Sequence, residues 1–115
     1  MLDDISISTL QAALNGLAAR QRAISDDIAN VNTPHFRART VAFEGDLKQA
    51  LGNGSDPLAV QPKTIVSTAP GGLTDNNVNL ADETVAAVNT QLAYELALRA
   101  TGDRFSLYRS AVRGV

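Results

Sequence analysis

Residues 10–34 read LQAALNGLAARQRAISDDIANVNTP, and this stretch carries the strongest structural pattern in the chain. Its core positions recur with an alternating spacing of four and three, which is the spacing of the a and d positions of a coiled coil. These positions are Leu10, Leu14, Leu17, Gln21, Ile24, Ile28 and Val31, of which only Gln21 is polar. Ser8, with Gln11 three residues later, has the pattern of a capping box and predicts that the helix begins near Thr9.

The end of this helix is set by an Asn-Thr-Pro segment. Pro34 lacks a backbone N–H and biases Thr33 away from the α-helical region, so the helix is expected to end near Asn32. The side chains of Asn30 and Asn32 can form the local hydrogen bonds of a turn. We therefore predict that Asn30, Thr33 and Pro34 determine how the chain leaves the first helix.

Two residues inside the first helix each allow two interpretations. Gly16 costs about 1 kcal/mol relative to alanine in a helix interior. Either this cost is merely tolerated, or a neighbouring helix approaches closely at Gly16. Gln21 is either a solvated gap in the apolar series or a polar position that fixes the register of the helix pair.

A second long helix is predicted from Asn79 to the end of the chain. Asn79 is a favourable N-cap, and Gly114 is a plausible stop. Val85, Val88 and Leu92 continue an apolar seam. A second apolar stripe follows at a shifted position: Leu98, Phe105, Tyr108 and Val112. Such a shift is typical of a stutter, or of a helix with two partners.

The middle of the chain is rich in glycine and proline and predicts loops with little regular structure. Phe43, Leu47 and Leu51 have helical spacing and predict a short helix that ends at Gly52. Residues 58–60 and 64–66 are short β-prone runs that could pair as a hairpin.

The predicted fold is therefore mainly α, with the N- and C-terminal helices packed as an antiparallel, coiled-coil-like hairpin. A loop-rich or small β excursion lies between them. We divide the chain into an N-terminal helix with its Asn-Thr-Pro turn (1–34), a middle region (35–78) and a C-terminal helix (79–115). Such a hairpin buries little apolar area by itself, so neighbouring copies are expected to complete its packing.

Composition argues against several classes of function. Ten Lys and Arg balance 12 Asp and Glu, so there is no basic footprint for nucleic acid. There is no cysteine and only one histidine, His35, so we expect no metal site, no cofactor and no enzymatic activity on a small-molecule substrate. No apolar run is long enough to span a membrane. The first residues include Asp3 and Asp4 and no basic region, so we do not expect them to be a cleavable secretory signal.

Several segments resemble a known family. Ile28-Ala29-Asn30 and Thr33-Pro34, followed by Phe36 and Arg37, resemble the N-terminal signature of bacterial flagellar axial proteins. The C-terminal segments resemble the proximal-rod subunits of the flagellar basal body, and these segments are Asn76-Asn77-Val78-Asn79-Leu80, Asn89-x-x-Leu92-x-Tyr94 and the run from Phe105 to Gly114. The resemblance covers residues 10–51 and 76–115. His35 stands where the family usually has glycine, and Asp27 where asparagine is common.

The resemblance implies a structural subunit that polymerises through its terminal helices into the axial drive shaft of the rod. It implies contacts with copies of itself and other flagellar rod subunits, with the rod-base adaptor and with the flagellar export gate. It also implies export from the cytoplasm to the periplasmic rod without a cleavable signal peptide. The expected subunit-packing residues are Leu10, Leu14, Leu17, Ile24, Ile28, Val85, Val88, Leu92, Tyr94 and Phe105. The alternatives are a soluble coiled-coil adaptor that binds a partner helix, and another flagellar axial rod protein.

Overall fold

A computed structural model describes residues 2–114 as long helices joined by a small sheet. The helices are α1 (Leu2–Ala29), α2 (Glu44–Asn53) and α3 (Leu80–Arg113). The strands are β1 (Arg39–Ala42) and β2 (Lys63–Val66), and 3-10 turns occur at Pro57–Ala59 and Gly72–Thr74. The molecule measures 65 × 27 × 14 Å, so it is long and thin. The predicted mainly helical fold with a small β excursion is confirmed.

The first helix is the central element, because α1 contacts α3, β1 and α2. It runs antiparallel to α3. Asp27, near the end of α1, lies against Glu83 in the first turn of α3. Leu17, in the middle of α1, lines a cavity of about 280 Å³ together with Gln21, Thr90 and Tyr94. The predicted antiparallel pairing of the terminal helices is therefore present within one chain.

The start and the end of α1 both differ from the sequence prediction. The helix is already formed at Leu2 rather than beginning near Thr9. The Thr9 hydroxyl donates to the carbonyl of Ile5 at 2.7 Å, so this polar side chain is satisfied inside a helix and does not start one. The helix ends at Ala29, before Asn32, because the Asn30 carbonyl accepts from the Thr33 N–H at 3.0 Å and closes a turn there.

The pairing of the predicted hairpin is wrong. Strand β2 pairs antiparallel with β1, with Val41 opposite Thr64 and Arg39 opposite Val66. Residues 57–59 instead form a 3-10 turn. Pro57 occupies its first position, and the Asp56 carboxylate accepts from the Leu58 N–H at 3.0 Å. This capping removes the Leu58 N–H from any strand pairing.

The short helix predicted around Leu47 is confirmed as α2, although it ends at Asn53 rather than at Gly52. Gly54 follows in the left-handed conformation with φ of 74°, and its N–H bonds to the carbonyl of Ala50. A glycine adopts this conformation without steric cost, so Gly54 is the residue that ends the helix.

The buried core joins α1 to β1 and α2 through Phe43, whose side chain is only 4% exposed. A Cβ atom on Gly16 would lie 2.4 Å from the Phe43 ring. Gly16 is thus required by a close approach, but the group that approaches is an aromatic ring rather than a neighbouring helix. The members of the core cluster are Ala12, Leu17, Val41, Phe43 and Leu47.

Arg20 covers the outer face of this core. Its guanidinium lies 5.0 Å from the centre of the Phe43 ring and donates to both carboxylate oxygens of Glu44, at 2.8 and 2.6 Å. It also donates to the carbonyl of Val41 at 2.6 Å. The hydrogen bonds from Arg20 lower the pKa of Glu44 to about 2. Arg20 therefore fastens α1 to the junction of β1 and α2.

Candidate assembly site

The Asn-Thr-Pro turn is closed by its own side chains. The Asn30 side-chain amide donates to the carbonyl of Asp26 at 2.8 Å, which caps the last turn of α1. The Thr33 hydroxyl donates to the Asn30 side-chain oxygen at 3.1 Å. Asn30 and Thr33 therefore hold the chain in the turn that precedes Pro34.

A second segment, from the other half of the sequence, completes this turn. The side-chain amide of Asn76 donates to the carbonyls of Asn30 and Thr33, at 2.8 Å each. The Asn76 side-chain oxygen accepts from the Val78 N–H at 2.8 Å. A single side chain thus ties the exit from α1 to the approach to α3.

Asn77 and Asn79 extend these connections. The Asn77 side-chain oxygen accepts from the Ala38 N–H at 2.6 Å, and its amide donates to the carbonyl of Ala69 at 3.1 Å. The Asn79 side chain accepts from the Asp82 N–H at 3.1 Å, which confirms the predicted N-cap of α3. We call residues 30–38 and 75–79 together the motif junction, because both segments that carry the family resemblance meet there.

His35, which stands where the family usually has glycine, has a positive φ of 64°. Its N–H donates to the carbonyl of Thr74 at 3.0 Å, and its ring Nδ1 lies 3.3 Å from the Asp75 carboxylate. Arg37 also bonds the Asp75 carboxylate. The hydrogen bond with His35, followed by the charge of Arg37, holds the pKa of Asp75 below its usual range.

Replacing Asn76 by alanine should separate the two halves of the motif junction. One half-buried carbonyl, one exposed carbonyl and one half-buried N–H lose their partner, so we expect the free energy of unfolding to fall by about 2 kcal/mol. Urea unfolding followed by circular dichroism would measure this change. Asn89→Ala, at an exposed position within α3, is the matched control and should leave stability unchanged or raise it slightly. Equal losses in both variants would contradict the role given to Asn76.

The side of α3 that faces α1 consists of small residues and one tyrosine. Thr90 is buried, and Ala93, Tyr94 and Ala97 pack partly buried against the core. These residues recur with spacings of three and four, so they form one face of the helix. On the α3 side, the helix pair therefore packs through alanine, threonine and Tyr94 rather than through the valine and leucine seam predicted from the sequence.

The larger apolar residues of α3 face solvent. Val85, Val88, Leu92 and Leu96 are 55–64% exposed. At 100° per residue they form a single stripe on the side of α3 that is turned away from α1. We call these four residues the outer stripe. An isolated exposed leucine is ordinary, but an aligned series of this length indicates a surface that contacts another protein.

A further apolar surface lies nearer the C-terminal end of α3. Its residues are half-exposed or more, and they are Leu98, Phe105, Tyr108 and Val112. By helical periodicity they lie on roughly the opposite side of the helix axis from the outer stripe. We call them the distal stripe. Helix α3 therefore presents two separate apolar surfaces in different directions.

The expected subunit-packing residues divide into three groups by exposure. Leu17 and Ile24 are buried within the chain's own core. Leu10, Leu14, Ile28 and Tyr94 are half-buried. Val85, Val88, Leu92 and Phe105 are exposed. Only the last group is fully available to a neighbouring molecule, whereas the first group stabilises the subunit itself.

The sequence prediction did not include Asn76 and Asn77 among the site residues, although the segment that contains them was part of the resemblance. Their signal is the pair of adjacent asparagines just before an N-cap, a combination that favours side-chain to backbone hydrogen bonds. Within residues 2–114, no group of acidic, histidine or cysteine side chains is placed to hold a metal ion. No helix in the same range has the length and apolar character needed to cross a membrane.

Comparison with known proteins places this geometry in context. No protein-family profile matches the chain. The flagellar basal body rod protein FlgB of Escherichia coli is 39% identical over 70 residues, a match that covers 59% of this chain and 51% of that protein. The chain thus spans about half the length of this relative in that match. FlgB of Salmonella typhimurium is 25% identical over 136 aligned positions, which cover 99% of both chains. FlgB of Borrelia hermsii is 26% identical and covers 81% of this chain and 84% of its own.

These matches support a class of protein, the flagellar basal body rod proteins, which fits the paired terminal helices and the motif junction. Within this class, the chain resembles FlgB. The resemblance predicted from the sequence is confirmed.

Proposed function

We propose that this chain is a structural subunit of the proximal rod of the bacterial flagellum, and that it polymerises through its terminal helices to form part of the axial drive shaft. The proposal assigns it no catalytic step. The observation that carries the proposal is the exposure of the outer stripe on a helix whose other side is already packed within the subunit.

Two separate apolar surfaces support polymerisation rather than a closed pair. A two-fold dimer uses one self-complementary patch, whereas a head-to-tail polymer needs two different surfaces on each copy. The outer stripe and the distal stripe point in different directions along α3. Burial of a leucine or valine side chain contributes about 1.5 to 3 kcal/mol, so each stripe can supply several kcal/mol to a subunit contact.

The motif junction supports the proposal in a second way, because a drive shaft must transmit torque without bending at each subunit. Asn76 and Asn77 connect the end of α1, the sheet and the start of α3 by hydrogen bonds to backbone groups. These bonds fix the direction of α3, and with it the direction of both stripes. The exit residues Asn30, Thr33 and Pro34 act in this proposal as structural residues of the subunit.

The proposed neighbours are copies of this chain and other rod subunits, with the rod-base adaptor and the flagellar export gate below them. The proposed location is the periplasmic rod of the basal body. The chain would reach it from the cytoplasm by flagellar export without a cleavable signal peptide. The same similarity supports all of these points, since each is part of what a FlgB-type subunit implies.

Electron cryotomography of basal bodies in a strain that lacks this gene tests the proposal. We expect membrane rings and export apparatus without a rod, and restoration of the rod by the wild-type gene. Complete rods in the deletion strain would contradict the assignment to the proximal rod.

Fractionation of the complemented strain distinguishes a rod subunit from a soluble coiled-coil adaptor. A rod subunit should be recovered with purified basal bodies. A coiled-coil adaptor that binds a partner helix should remain in the cytosolic fraction, and that result would replace the rod assignment.

A further inference from the structure

Two carboxyl groups meet where the end of α1 faces the start of α3. Asp27 is fully buried, with 0% of its surface exposed. Its carboxylate oxygens accept from the Arg39 N–H at 3.0 and 3.3 Å, which attaches the start of β1 to α1. On its other side, the carboxyl group of Asp27 faces the carboxyl group of Glu83. Two facing carboxyl groups can share a hydrogen bond only if one of them carries a proton.

The surrounding charges do not replace that proton. Asp82, adjacent on α3, adds negative charge. Arg20 and Arg39 line the same cavity as Glu83, which has a volume of about 490 Å³. However, the Arg20 guanidinium bonds Glu44 and Val41. The Arg39 guanidinium bonds Asp26 at 3.3 Å and lies 5.4 Å from the centre of the Phe36 ring.

We propose that Asp27 and Glu83 form a proton-sharing latch that holds the first turn of α3 against the end of α1, and that loss of the shared proton weakens this hold. Asp27 is suited to this role because it is buried and already bonded to β1. Glu83 is suited because it is only partly buried, so a proton can exchange between it and solvent. The latch is a property of the single chain and does not depend on the proposed function.

Electrostatics gives the direction of the effect. Burial, followed by the hydrogen bond and the negative charge of Asp27, raises the pKa of Glu83 from 4.5 to about 7. Between these two pH values the folded chain retains a proton that the unfolded chain has lost. The stability contributed by the latch is therefore complete below pH 4.5 and is lost as the pH rises through 7.

A carbon NMR titration of the side-chain carboxyl group of Glu83 in the full-length wild-type chain tests the latch directly. We expect a titration midpoint near 7. A midpoint near the usual value of 4.5 would overturn the proposal. This measurement does not depend on the stability of any variant.

Two isosteric variants test whether the pair is responsible. In Asp27→Asn, the amide can donate to the Glu83 carboxylate while its oxygen still accepts from the Arg39 N–H, so no shared proton is needed. In Glu83→Gln, the amide can donate to the Asp27 carboxylate in the same way. In wild type, the equilibrium constant for unfolding should rise about ten- to one-hundred-fold more between pH 5 and 8 than in either variant.

Glu95→Gln is the matched control, because Glu95 is exposed on the same helix. It should retain the pH dependence of the wild-type chain. The latch would be excluded if both Asp27→Asn and Glu83→Gln showed the same pH dependence as wild type and Glu95→Gln.

Discussion

Replacing Gly16 by alanine is expected to lower the free energy of unfolding by about 2 to 4 kcal/mol, although alanine is the better helix former. The added Cβ atom would lie 2.4 Å from the Phe43 ring, which is closer than two carbon atoms can approach. The ring must therefore leave the position where Arg20 covers it. Loss of a buried phenylalanine costs about 3 to 5 kcal/mol, and the gain in helix propensity is about 1 kcal/mol.

Gly102 offers a matched control for this prediction, because it lies within α3 and no atom outside the adjoining helix backbone lies within 4 Å of the position of its missing Cβ. Gly102→Ala should raise the free energy of unfolding by about 0.5 to 1 kcal/mol. Urea unfolding of both variants measures the two changes. If Gly16→Ala were as stabilising as Gly102→Ala, the close approach of Phe43 to α1 would be wrong.

The second large effect concerns motility and separates folding from assembly. Leu17→Asp places a charge at a position that is 8% exposed, and it should lower the free energy of unfolding by about 4 kcal/mol or more. Leu92→Asp makes the same substitution in the outer stripe, where it should change that free energy by less than about 1 kcal/mol. Both variants should abolish swimming, the first because the subunit does not fold and the second because it does not assemble.

Soft-agar motility together with circular dichroism of the purified chains distinguishes these causes. Gln91→Glu is the control, since it adds a negative charge to the flank of the same helix, and it should leave cells motile. Normal swimming by the Leu92→Asp strain would remove the outer stripe from the assembly surface. A folded Leu17→Asp chain would instead show that Leu17 is not needed in the core.

The two long helices could be predicted from the sequence because their signals are local. Asn79 caps α3 and Gly114 ends it, with φ of 71°, as the residue types predict. The start of α1 was misplaced because the pattern of Ser8 and Gln11 is equally compatible with a helix interior. Capping residues favour a helix start but do not exclude continuation when the preceding residues are also helical.

The contact face of α3 could not be predicted in the same way. The sequence pattern gives most weight to Val85, Val88 and Leu92, the large apolar residues, and these lie on the outer side. The inner side consists mainly of alanine and threonine, whose small side chains give a weak periodic signal but allow two helices to approach closely. Which stripe is internal depends on size complementarity with α1, which is information from another part of the chain.

Long-range pairing limited the rest of the prediction. The β-prone run at 64–66 was recognised, but its partner is β1, on the far side of α2 in the sequence. The latch between Asp27 and Glu83 likewise joins residues from two helices, α1 and α3, that are far apart in the sequence. Neither pairing leaves a signal in the local sequence around either partner.

The motif junction also has a consequence for the rate of folding. Asn76 bonds Asn30 across a sequence separation of 46 residues. The contacts between α1 (Leu2–Ala29) and α3 (Leu80–Arg113) join residues that are even further apart in the sequence. Closing such loops costs entropy before the contacts form, and topologies of this kind fold slowly. Although this protein is mostly helical, we expect it to fold on the timescale typical of proteins with non-local contacts. A newly made chain would therefore stay unfolded longer than an ordinary helical bundle of the same size.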